Sequence, residues 1–246
     1  MTKYFTNNFP IINLYKKPSK KSEVVTQIIY GESFSVLKKT KSWLKIKILE
    51  DGYKGFIQIK RYINFTKPTH KINSLKAYIY AFPNRKKKKS LLPFGSKIKI
   101  LDKRNDFLKF HGGWVNRKNL SLISYKEKDL FKRIKIFKNI KYKWGGKTFR
   151  GIDCSALVQV CLNFNNKYCP RDTKDQIRYF KKNINVKNIK KNDIIYWKGH
   201  VAVALSKKNL IHAYGPLKKT IIMSIDRTLE RIEKTANLKL KKIKRI

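Results

Sequence analysis

A chain of 246 residues carrying 60 Lys and Arg against 15 Asp and Glu has a formal net charge of +45. Hydrophobic residues at 41% and aromatics at 13% exclude a disordered basic tail as its main content. No run reaches the ~18 apolar residues that a membrane-spanning helix needs, and the length suits two or three domains with modest cores.

The first ten residues, Met1-Thr-Lys-Tyr-Phe-Thr-Asn-Asn-Phe-Pro10, lack the apolar centre of a secretory signal. With three cysteines, an odd number that makes no disulfide framework, this points to a reducing cytoplasm. From Ile11 to Leu122 the pattern is short strands without a long helical period. They are expected over Glu23–Ile29, Ser33–Lys38, Trp43–Ile48, Lys54–Ile59, Lys97–Leu101, Phe107–Phe110 and Gly113–Val115. Two similar units emerge. One runs from Leu14-Tyr-Lys-Lys-Pro18 through Tyr30-Gly-Glu32 and Trp43 to Gly52-Tyr-Lys-Gly-Phe56. The other runs from Ala77-Tyr-Ile-Tyr80 through Phe94-Gly95 and Phe107 to Gly112-Gly-Trp-Val115. Each is ~55 residues, the size of a small barrel, and both resemble bacterial SH3-like domains. Lys67-Pro-Thr-His70 reads as a linker and Lys-rich Asn84–Lys89 as a solvated loop.

A different pattern begins at Tyr142-Lys-Trp-Gly-Gly-Lys-Thr-Phe-Arg-Gly-Ile-Asp-Cys-Ser-Ala-Leu-Val-Gln159. Leu157, Val160, Cys161 and Phe164 recur at helical spacing, so a helix starts at or beside Cys154. A cysteine there meets unpaired N–H groups and the positive end of the helix dipole, which favour the nucleophilic thiolate. A lone cysteine on an apolar helix face is ordinarily core, so reactivity needs a base. Strands are expected over Asp193–Trp197, His200–Leu205 and Asn209–Ala213, with a turn near Ser206. Pairing the last two sets His200 roughly opposite His212 on one face, as suits a base and the group that orients it. Cys161 and Cys169 read as core. Ser224–Glu233 reads as a helix. Leu238–Ile246 reads as a closing edge strand, with a basic membrane-binding helix as the rival.

Tyr142 to Gln159, Pro170-Arg-Asp-Thr173 with Gln176, Asn192-Asp-Ile-Ile-Tyr-Trp197, Gly199-His-Val201 and Leu210-Ile-His-Ala213 together resemble the NlpC-type cell-wall peptidases, a compact branch of the papain-like cysteine peptidases. The resemblance covers residues 125–246. It implies an α+β fold in which the helix carrying the cysteine packs on an antiparallel sheet, preceded by SH3-like domains at 1–66 and, more weakly, 71–122. It implies Cys154 as nucleophile, His200 as general base, His212 as its orienting partner and Tyr142 as an aid to the oxyanion. Asp153, Ser155, Trp144, Asp172 and Thr173 match positions lining the substrate groove, and Ala156 departs from the family's usual glycine. No cofactor and no metal is called for.

By the same resemblance, a signal-free member with two SH3-like domains is a murein-peptide-recycling thiol protease. It hydrolyses the γ-D-Glu–diamino acid bond of short peptides with a free N-terminal L-Ala. An acid should then pair with the ammonium, and Asp153 is expected there, with Glu32 and Tyr53 of the first SH3-like unit on the groove's outer wall. The alternatives are an open-groove peptidoglycan hydrolase of the cell wall and a non-catalytic SH3-like module that binds polyanions. The lysines are spread along the chain among many Ile and Asn, with neither a zinc-finger spacing nor an RNA-recognition aromatic pair. A compositional bias explains that charge, and no specific nucleic-acid partner is expected.

Overall fold

Alternation of apolar and basic residues builds the first half of the protein. In the computed structural model, which describes residues 3–246, Leu44, Ile46 and Ile48 point into a core while Lys45 and Lys47 face out. The chain divides into two compact units, Met1–Tyr125 and Lys126–Ile246.

In the first unit, β1 (Tyr4–Thr6), β2 (Ile11–Tyr15), β3 (Val24–Ile29), β4 (Ser33–Lys39), β5 (Trp43–Ile48), β6 (Lys54–Gln58) and β7 (Ile63–Asn64) make one sheet. Its order is β3-β2-β6-β5-β4-β1-β7, and it encloses Leu14, Ile28, Phe34, Ile46 and Ile57. There follow β8 (His70–Ile72), β9 (Lys76–Tyr80), β10 (Lys88–Pro93), β11 (Lys97–Ile98), β12 (Asp102–Arg104), β13 (Phe107–Phe110), β14 (Gly113–Asn116) and β15 (Leu120–Leu122). These form a five-stranded sheet, β10-β9-β14-β13-β12, and a three-stranded one, β11-β8-β15, around Ile72, Ile79, Leu92, Ile98 and Val115. Tyr30, between β3 and β4, packs into this second core. The next residue has to be glycine. Gly31 has φ +81°, and a Cβ there would stand 1.9 Å from the carbonyl oxygen of Lys97. The expected Lys97–Leu101 strand stops at Ile98, and β10 begins inside the Lys-rich stretch read as a loop.

The second unit carries the helices. A short hairpin of β16 (Lys147–Thr148) and β17 (Gly151–Ile152) runs straight into α1 (Cys154–Phe164), every residue of which is buried except Asn163. A helix buried on all sides, its polar Ser155 and Gln159 included, belongs inside a domain. α2 (Thr173–Tyr179) is followed by β18 (Lys182–Asn183), β19 (Ile194–Trp197), β20 (His200–Ala204), β21 (Asn209–Tyr214), β22 (Lys219–Ser224), α3 (Ile225–Ala236) and β23 (Lys242–Arg245). The sheet order is β18-β23-β19-β20-β21-β22, all antiparallel where paired. Among the described residues, three α-helices on and around antiparallel sheets make the fold α+β. α3 is amphipathic, burying Ile225, Thr228 and Ile232.

The C-terminal segment corrects an expectation. It is a strand, not a membrane-binding helix, but it lies inside the sheet between β18 and β19. The buried carboxylate of Asp193 explains why. Its two oxygens accept from Nε and Nη2 of Arg245, each at 2.7 Å, and hold β23 in place.

Candidate active site

Helix α1 fixes the thiol. Asp153 is its N-cap, with extended backbone (φ −97°, ψ 174°), and its Oδ1 accepts from the N–H of Ala156 at 2.9 Å. The next residue, Cys154, therefore begins the first turn. Its Sγ lies 3.9 Å from the carbonyl oxygen of Gly199, and the N–H of Val201 also points at it. The sulfur thus abuts the backbone on both sides of His200.

Burial overrides the helix start. Desolvation first, then the Asp153 carboxylate, pushes the Cys154 thiol up to about 12 against the weaker pull of backbone N–H groups and Arg171. The pull toward thiolate expected from the helix start is thus outweighed by burial, and removing the proton calls for a base. The other cysteines, Cys161 and Cys169, are buried and unbridged.

The two histidines meet. His200 Nε2 and His212 Nδ1 are 2.9 Å apart. The two strands pair Val203 with Ile211 and Ala204 with Leu210, a register that, continued along them, sets Ala202 opposite His212 and Tyr214 opposite His200. The imidazoles are therefore diagonal neighbours on one face, not directly opposite. Tyr214 stacks on His212 (4.7 Å, 12°), and Trp197 tilts against His200 (5.5 Å, 39°). Desolvation lowers His200 to about 4 and His212 to about 2, the latter helped by its neighbour, so both rings are neutral at pH 7. For His200 to offer Nδ1 as a base, its Nε2 must carry the hydrogen and donate it to His212 Nδ1. His212 then keeps its own hydrogen on Nε2, a buried atom without a hydrogen-bond partner among the described residues.

On the other side of the sulfur stands a charged cluster. Arg171 donates to Asp153 through Nη2 to Oδ2 (2.5 Å) and Nη1 to Oδ1 (3.0 Å), and through Nη1 to Ser155 Oγ (2.8 Å). Asp153 Oδ2 also accepts from the N–H of Gly145 at 2.9 Å, and Ser155 Oγ donates to Oδ1 at 3.3 Å. This corrects two expectations. Asp153 (4% exposed) has its carboxylate filled and does not await an ammonium, and Ser155 is part of the same buried scaffold. Gln176 completes it, its Nε2 donating to the carbonyls of Ser155 and Pro170 at 3.0 and 2.9 Å.

The remaining expected residues fall as follows. Tyr142 is half-buried, its phenol pushed up by burial and by nearby Cys154 and Asp153. Trp144 is 61% exposed. Asp172 is half-buried before α2 and makes no capping bond to it, while Thr173 opens that helix. In the first unit, Glu32 is corrected from an exposed groove wall. It is 3% exposed, and its Oε2 accepts from the N–H of Ile29 at 2.9 Å. Tyr53 is partly buried against the first core. Sequence reasoning gave no separate role to Arg171, Trp197 or Tyr214. The one available signal was an arginine between a proline and an aspartate, in a segment that otherwise reads as buried.

Residues 139–231 match the NlpC/P60 family, and residues 14–61 match the bacterial dipeptidyl-peptidase SH3 domain. The chain thus carries an NlpC/P60 domain, that of a cysteine peptidase, behind a bacterial SH3 domain. Among curated proteins it is 22% identical to the gamma-D-glutamyl-L-lysine dipeptidyl-peptidase of Bacillus subtilis (strain 168), over 84% of this chain and 77% of that one. It is also 35% identical to dipeptidyl-peptidase 6 of Lysinibacillus sphaericus, over 29% of this chain and 27% of that one. Among solved structures, an NlpC/P60 family protein from Bacillus cereus ATCC 10987 superposes with a TM-score of 0.85 at 18% identity, covering 98% of this chain and 99% of the other. That likeness establishes the shared fold.

Proposed function

We propose that this NlpC/P60 peptidase hydrolyses the γ-D-Glu–diamino acid bond of short murein peptides bearing a free N-terminal L-Ala. The observation that carries the reading is the 2.9 Å His200–His212 contact beside a helix-start thiol whose sulfur abuts Gly199. Relatives named for dipeptide release from a γ-D-glutamyl bond supply the substrate class.

In this reading His200 Nδ1 takes the Cys154 proton as the sulfur attacks the γ-carbonyl of D-Glu. A thiol near 12 and an imidazole near 4 disfavour that transfer at rest, so it accompanies attack. Backbone N–H groups at the start of α1, with Tyr142, stabilise the oxyanion. The imidazolium then protonates the departing amine of the diamino acid, the C–N bond breaks, and water attacks the thioester with His200 again the base. His212 holds the His200 ring. Asp172, Trp144 and Thr173 line the groove in this reading.

The test is incubation with L-Ala-γ-D-Glu-diaminopimelate and its N-acetylated form, with products read by mass spectrometry. Release of L-Ala-γ-D-Glu from the free peptide alone is expected. Equal cleavage of both would favour an open-groove wall hydrolase instead.

A further inference from the structure

The first unit contains a cavity that none of this chemistry uses. It has a volume of about 350 Å³ and opens where the end of the first sheet meets the second group of strands. Tyr30, Ile63, Phe65, Leu101 and Phe110 give it an apolar lining, and Thr6, Asn64, Thr66, Lys97, Lys99 and His111 are its polar groups. Volumes of roughly 300–1,000 Å³, mostly apolar with a few convergent polar groups, are those of small-molecule sites.

Three observations set this cavity apart from a chance crease. First, its walls are tied by backbone. Lys97 N–H donates to the Tyr30 carbonyl at 2.9 Å, Phe65 N–H to Tyr4 at 3.1 Å and Thr69 N–H to Ile98 at 2.9 Å, so the shape exists before any ligand arrives. Gly31 permits the close approach that brings the two sides together. Second, Phe65 and Leu101, 53% and 57% exposed, both line it, so two large apolar side chains left in water converge on one opening. Third, its two lysines differ. Lys97 is neutralised at 2.9 Å by Glu50, whereas Lys99 is exposed and so supplies the cation at the mouth.

We infer that this cavity binds a small aromatic or apolar molecule bearing a carboxylate or similar anionic group, its ring against Tyr30, Phe65 and Phe110 and its charge at Lys99. An aromatic ring matches the aromatic lining, and a single negative charge matches the single unneutralised lysine.

The experiment uses the whole chain with 2-naphthoate as probe and neutral 2-naphthamide as control, followed by NMR amide shifts and titration calorimetry. Saturable naphthoate binding is expected, with shifts confined to residues around Tyr30, Phe65, Leu101 and Phe110. The amide should bind at least 5-fold more weakly, and Lys99→Glu should lower naphthoate affinity by a similar factor. Leu101→Glu should abolish binding; Leu101 is exposed, so this change leaves the fold in place. Shifts centred elsewhere, no saturation, or unchanged affinity in Leu101→Glu would overturn the site. Equal binding of acid and amide would overturn the anionic assignment. The wild-type shift map needs no variant and decides the location alone.

Discussion

Two buried clusters flank the same sulfur and solve opposite problems. The Asp153–Arg171–Ser155 cluster is charged and filled, both carboxylate oxygens accepting two or more bonds. The His200–His212 pair is neutral and unfilled, with one ring nitrogen of His212 left without a partner among the described residues. A saturated ion pair has no capacity for proton transfer and serves to hold the α1 start against Pro170. An unsaturated neutral pair keeps a nitrogen for chemistry, at the cost of a buried donor. Under the proposed mechanism the difference separates what fixes the nucleophile from what activates it, and each side can be broken independently.

The largest effect should come from the sulfur both clusters serve. Cys154→Ala should abolish hydrolysis in the peptide assay with the melting temperature nearly unchanged, whereas Cys161→Ala and Cys169→Ala keep most activity. Faster alkylation of Cys161 than of Cys154 at neutral pH would refute the choice of thiol. Next, His200→Ala removes the proton acceptor and should lower kcat/KM by about 10²–10⁴. Activity near wild type there would end the dyad reading.

On the charged side, Arg171→Met strands a buried carboxylate. It should lower unfolding stability by ~3–5 kcal/mol, measured by urea titration, and Asp153→Asn in the same chain should return part of the loss. A Tm shift no larger than that of a surface lysine variant would show that the cluster is not the scaffold described. A milder effect is expected at His212. Asn or Gln there still orients an imidazole and should cost only about 10-fold or less in kcat, against a larger loss for Ala.

The smallest effect is a pH slope. Both imidazoles have folded pKa values below the ordinary 6.5, so the unfolded chain binds more protons as the medium acidifies. Their contribution is complete above pH 6.5 and is lost progressively as pH falls from there toward about 4. Thermal melts at pH 7.5 and 5 should show a loss of about 1–2 kcal/mol beyond that of His212→Asn, whose slope should be flatter. Parallel slopes for the two proteins would mean that the buried pair is not linked to folding.

Much of the second unit was legible because its signals are strong. The helical spacing of Leu157, Val160, Cys161 and Phe164 and the apolar runs of β19 to β21 each have a clear period. The first unit was less so. β1, β7 and β8 have only two or three residues, too few to show any alternation, and β10 hides its start in lysines because it is a sheet edge. At the site, Cys154, His200 and His212 could be found from residue type and strand order. The state of each group could not. Whether Asp153 is free or filled depends on Arg171, eighteen residues away in sequence, and whether Cys154 is thiol or thiolate depends on how deep it sits.

β23 has a further consequence, for the order in which the molecule is made. The sheet that carries His200 and His212 lacks a strand between β18 and β19 until residue 245 has left the ribosome. Cys154 emerges some ninety residues sooner. During that interval its sulfur is a thiol of ordinary acidity, more open to oxidants and alkylating agents than in the finished enzyme, where burial raises its pKa. Synthesis is therefore its most vulnerable moment, and damage during oxidative stress should fall on nascent chains more than on mature ones.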